Sequence, residues 1–111
     1  MIIRLIVYLV IGICICLPVL SLAQTQSSNT IVIKDHKFIP SQLTIPAGQK
    51  VKVTIDNQDS TAEEFESFDL DREEVVEGHQ QIVIFIGPLK AGTYNYWADY
   101  HKDSTGVIVV Q

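Results

Sequence analysis

The chain has 111 residues, with eight Lys or Arg against thirteen Asp or Glu and a formal net charge of −5. That length allows one domain, and the acidic balance argues against nucleic acid as a partner, because phosphates would be repelled. The only cysteines, Cys14 and Cys16, sit in an apolar leader, so their even count does not announce a disulfide.

Arg4 is the only charge before the apolar run from Leu5 to Leu20. Ser21-Leu22-Ala23 then places small residues at the −3 and −1 positions of a cleavage site. The pattern predicts a secretory signal peptide over residues 1–23. The competing reading is an uncleaved membrane anchor, since Ile2 to Leu22 is long enough to span. Ile13 and Ile15 before the two cysteines argue against a lipid anchor, which needs a small residue there.

Residues 24–29 read as a polar linker, and residues 30–111 as the domain. Ile31-Val32-Ile33 opens it; Phe38 and Ile39 precede Pro40, which suits an edge or a change of sheet. Leu43 and Ile45 lead into the Pro46-Ala47-Gly48 turn. Lys50 to Asp56 alternates, with Val51, Val53 and Ile55 facing inward. Asn57 to Thr61 reads as a loop and Phe65 to Leu70 as a strand. Gln81 to Ile86 is apolar on both faces, which predicts a central strand. Thr93 to Trp97 and Val107 to Val110 complete about seven strands. No stretch carries a useful 3.6-residue period, so the predicted fold is all-β, a two-sheet Greek-key β-sandwich.

Ten of the thirteen carboxylates lie between Asp56 and Glu77, with Arg72 as the only base among them. Such a field attracts cations or a basic partner; its plainer reading is a solubilising face.

Three segments together resemble the cupredoxin-like domain family, across nearly all of residues 30–111. They are Phe38-x-Pro40 with Ile45-Pro46-Ala47-Gly48, then Val53-Thr54-Ile55-Asp56-Asn57, then Gly92-Thr93-Tyr94 with His101 and Gly106-Val107-Ile108-Val109. Copper-carrying members hold their metal between the loop after the asparagine and the last hairpin. Carried over, the first histidine position falls on Glu63 or Glu64, the cysteine on Ala98, and the second histidine on His101; no methionine follows. Blue-copper electron transfer needs a thiolate in a His₂Cys site, so the resemblance implies no type 1 copper.

The remaining candidates for metal ligands are His101, Asp99, Glu66, Glu64 and Glu63. One imidazole among carboxylates suits iron, manganese or Cu(II). Strand alternation puts Glu63 on one face with Phe65, and Glu64 and Glu66 on the other. If Phe65 faces the core, the chain must twist for Glu64 or Glu66 to meet His101. His36 and His79 read as solvated surface residues, and Tyr94, Tyr96 and Trp97 as packing.

A narrower resemblance lies in Glu63 to Leu70, Gly87 to Tyr94, His101 and Gly106. These are similar to the periplasmic cupredoxin-like component of bacterial ferrous iron uptake. The resemblance implies a periplasmic protein that binds an iron or copper ion and assists Fe(II) oxidation. Its partner would be a membrane iron permease or a periplasmic iron-binding protein. The alternative is a metal-free module that docks a basic partner through its acidic edge.

Overall fold

The computed structural model describes residues 12–17 and 29–111. The expected signal peptide and linker fall mostly outside the described residues, and residues 12–17 carry no regular secondary structure.

From residue 30 onward the chain forms nine strands. These are β1 (Thr30–Lys34), β2 (Lys37–Ile39), β3 (Gln42–Ile45), β4 (Val51–Asn57), β5 (Glu63–Ser67), β6 (Arg72–Val76), β7 (Gln81–Ile86), β8 (Gly92–Ala98) and β9 (His101–Val110). One sheet runs β2-β1-β4-β7 and the other β3-β9-β8-β5-β6. The β1–β4 and β3–β9 pairs are parallel and the rest antiparallel. The all-β sandwich expected from the strand pattern is the fold observed.

Period-two patterning builds the core. In β4, Val51, Val53, Ile55 and Asn57 point inward and are buried, while Lys52 is exposed. They meet Ile31 and Ile33 of β1, Phe65 of β5, Tyr96 and Ala98 of β8, and Ile108 and Val110 of β9. Burying each large aliphatic contributes about 2 kcal/mol. At the centre, the Tyr96 ring packs 4.9 Å from Phe38 and 4.6 Å from Phe65, centroid to centroid.

Three elements depart from the sequence pattern. The strand expected over Phe65–Leu70 begins at Glu63 and ends at Ser67. The Ser67 hydroxyl accepts the Leu70 N–H at 3.1 Å, and Asp71 adopts φ 52°, so residues after Ser67 turn. They lead into β6, an acid-rich strand with no apolar alternation of its own, held by pairing along β5. The expected central strand β7 is instead an edge of its sheet, with Val83 and Phe85 46% exposed. Its two-sided apolar pattern signalled burial that the topology does not provide.

Candidate metal centre

The centre is assembled at one end of the sandwich from three connections. The first is the two-residue turn between β1 and β2, where Asp35 (φ 51°) and His36 (φ 62°) are both left-handed. Tight hairpin turns require this pair of conformations and usually take Asn-Gly, because a Cβ is strained there. Here Asp59 compensates. Its Oδ1 accepts the Asp35 N–H at 2.8 Å and its Oδ2 the His36 N–H at 2.9 Å.

Asp59 is itself fixed by Asn57, which is fully buried at the end of β4. The Asn57 Oδ1 accepts the Asp59 N–H at 3.0 Å, and Nδ2 donates to the carbonyls of Thr61 (2.9 Å) and Val76 (3.0 Å). Burial alone would raise the Asp59 carboxyl. The two backbone N–H groups, with the nearby His36 and His101 imidazoles, hold it below its ordinary value. Gly78 lets the β6–β7 turn close onto this loop, since a Cβ there would lie 2.1 Å from the Ser60 carbonyl oxygen. His79, in the same turn, has an exposed side chain, as its sequence context suggested.

The second connection is the turn into β9, which begins at His101 beside a register shift at Trp97/Ala98. The third is the start of β5, where Glu63 shares the inward face with Phe65 and is 1% exposed. Its Oε2 lies 2.5 Å from His101 Nδ1, and its Oε1 accepts the N–H groups of Glu64 and Tyr100, both at 3.1 Å. The His36 ring stacks on His101 at 3.6 Å with a 13° interplanar angle. One donor atom each from His36, Glu63 and His101 lies within 4.8 Å of the others.

His36 is exposed, as its sequence context suggested, but its ring also stacks on His101, which the sequence did not foretell. The signal that could have exposed it is slight: a two-residue turn without glycine, needing a brace that lies 23 residues away. Asp59 was missed for the same reason. Ala98 is fully buried and pairs with Phe65.

The five residues proposed as ligands from the sequence thus fall into two groups. Glu63 and His101 meet His36 at the sandwich end, where Glu63 is buried and the two rings are partly exposed. Glu64, Glu66 and Asp99 meet one another, also with donor atoms within 4.8 Å, and no twist carries them to His101. Strand parity separates them, because consecutive residues of β5 point to opposite faces.

In the second group the Glu73 and Glu66 carboxylates press on Glu64. Hydrogen bonding to them is open only to the protonated Glu64. This, with burial and the Asp99 charge, raises its carboxyl from 4.5 to about 7. A carboxyl raised on folding adds stability in full below pH 4.5, and this is lost as pH rises through about 7. Glu64→Gln, neutral at every pH, should therefore match wild type in thermal melts near pH 4 and exceed it above pH 8, both with chelator present. A constant difference across that range would contradict the assignment.

Two imidazoles and a carboxylate make a donor set that fits Cu(II) or iron, and it offers no thiolate or thioether. The comparisons with known proteins agree with this fold at the level of family. The sequence matches the cupredoxin-like domain family over residues 5–110. An uncharacterized protein of Rickettsia prowazekii (strain Madrid E) is 47% identical over 81 residues, which is 72% of this chain and 65% of the relative's length. Among solved structures, a novel purple cupredoxin from Nitrosopumilus maritimus has a TM-score of 0.60 at 21% identity, covering 74% of this chain and 98% of that one. Amicyanin from Paracoccus versutus has a TM-score of 0.62 at 22% identity, covering 78% and 83%. These two likenesses speak for the fold. With the family match spanning nearly the whole sequence, the chain belongs to the cupredoxin-like domain family.

Proposed function

We propose that this protein is a periplasmic metal-binding cupredoxin-like protein in which His36, His101 and Glu63 hold one copper or iron ion. The observation that carries the reading is the stacked pair of imidazoles above a buried carboxylate, braced from both sides. Glu63 orients His101 through Nδ1, and Asp59 holds the strained turn that presents His36. With Ala98 in the sulfur position, the centre is not a type 1 copper site.

A copper or iron ion held there would supply one-electron redox chemistry. The residues around it position imidazole nitrogens and exclude water from Glu63. The likeness of residues 63–70 and 87–94 to components of ferrous iron uptake supports an accessory role beside a membrane permease or a periplasmic iron-binding protein. The leader supports export, by a signal peptide cleaved after Ala23.

The test is a Cu(II) titration of the full chain by competition with a chelator. About one equivalent should bind without an intense blue absorption band. His101→Ala and His36→Ala should each weaken binding tenfold or more. Unchanged titrations in both variants would reject the centre. The metal-free docking module has its own support in the acidic surface, where Glu66 pairs directly with Glu73 across β5 and β6. It would be favoured by no metal uptake at micromolar concentration together with binding of a basic partner that weakens steeply with salt.

A further inference from the structure

The outer face of the five-stranded sheet carries an arrangement that the imidazole centre does not use. Glu64 and Glu66 project from β5, Glu66 directly faces Glu73 of β6, and Asp99 follows the end of β8. Like charges directly opposed across strands are destabilising. A solubilising face would splay such groups into water, but Glu64 is only 6% exposed. Its Oε1 is buried with no hydrogen-bond partner among the described residues. The only relief within the cluster is a proton shared with Glu66 or Glu73; once Glu64 ionises, that oxygen faces only other carboxylates and carries an uncompensated desolvation penalty.

The positive charge on hand is slight. Lys102 Nζ is 3.9 Å from Asp99 Oδ1 and its side chain is 76% exposed. The guanidinium of Arg72 is turned away, to Glu74 and the Phe85 carbonyl. Asp99 is meanwhile oriented by the Trp97 indole N–H, 3.4 Å from Oδ1. Its own N–H bonds the Glu64 carbonyl at 2.9 Å, tying the β8–β9 turn to β5. The carboxylates therefore stand on paired strands and a fixed turn, the rigid support a coordination site needs.

We propose that Glu64, Glu66 and Asp99, with Glu73 beside them, form a second cation site that takes a hard di- or trivalent ion through oxygen ligands alone. An ion there answers both anomalies at once: it gives the buried Oε1 a partner and neutralises the opposed carboxylates. All-oxygen sites favour hard ions, whereas the imidazole centre favours borderline ones, so the two sites differ in preference. Glu63 and Glu64, consecutive on β5, serve opposite faces. The two sites share no ligand residue.

Trp97 is the only tryptophan of the chain and touches Asp99, so it can sensitise a luminescent ion. Tb(III) alone, added to the full chain with excitation of the indole, should give saturable emission at about one equivalent. Glu64→Gln combined with Glu66→Gln should weaken that binding at least tenfold, while His101→Ala should leave it within twofold. Mn(II) should compete for the site. In the His101→Ala background, saturating Mn(II) should raise the melting temperature, and in the double glutamine variant it should not. If the double variant fails to fold, Asp99→Asn carries the same comparison. Emission unchanged in folded carboxamide variants, or lost equally in His101→Ala, would overturn the site. The Cu(II) titration stands or falls separately.

Discussion

Glu63→Ala is expected to lower the melting temperature of the metal-free protein by about 15 °C and to remove its copper or iron binding. Three contacts converge on this carboxylate: the N–H groups of Glu64 and Tyr100 on Oε1, and His101 Nδ1 on Oε2. Alanine strands all three donors in a place where the side chain they met was almost wholly shielded from water. Breaking a buried pair in this way costs about 3 kcal/mol, and each kcal/mol moves the midpoint of a domain this small by several degrees.

Glu63→Gln separates structure from binding. Its amide oxygen can still accept the two backbone N–H groups, and its NH₂ can donate to the other tautomer of His101. The glutamine protein should therefore melt close to wild type yet bind Cu(II) at least tenfold more weakly, because the anionic oxygen is gone. Paired thermal melts and chelator competition read both effects. An alanine variant melting within about 3 °C of wild type would mean that the carboxylate does not hold the turn together.

Gly106→Ala should be as damaging to the fold, by overpacking. Gly106 pairs with Tyr96 across β8 and β9, and the Tyr96 ring lies back over it. A Cβ at residue 106 would sit 2.3 Å from Tyr96 Cζ and 2.4 Å from its Cε2 and hydroxyl oxygen. The ring cannot retreat, because Phe38 and Phe65 pack against it and Tyr96 is 1% exposed. Burial also keeps its hydroxyl protonated, well above the ordinary range for tyrosine.

The expected loss is about 3 kcal/mol, at the upper end for an added methyl group in a packed core. Most of it should disappear in a Tyr96→Leu background, where the obstructing ring is absent, giving a strong favourable coupling in a double-mutant cycle. Tyr96→Phe should recover only part, since two of the three close atoms belong to the ring itself. Equal effects of Gly106→Ala with and without the Tyr96 ring would show that the close approach is not the cause.

Much of the framework is legible in the sequence. The clean alternation of Val51, Val53 and Ile55 marks a strand with one buried face, and β4 is that strand. The parity of Glu63, Glu64, Phe65 and Glu66 follows from the pleat, and it correctly divides the acids between two faces once Phe65 is known to be buried. His101 was marked by the aromatic run before it. Composition along the chain was weaker evidence for β6 and β7. One is a polar strand recruited by its neighbour, and the other an apolar strand left at an edge; pairing partners decide both, and no local pattern encodes them.

Local order, side-chain parity and the absence of any cysteine after Cys16 were determined by the sequence alone, because a strand's pleat and a residue's chemistry are local properties. Only the tertiary structure decided which residues share a centre. His36 reaches His101 across most of the domain, through a left-handed turn that Asp59 stabilises and Asn57 in turn positions. The same folding turns five candidate ligands into two groups on opposite faces of β5. Such proximity depends on strand order and on hydrogen bonds between distant loops, and spacing along a chain carries neither.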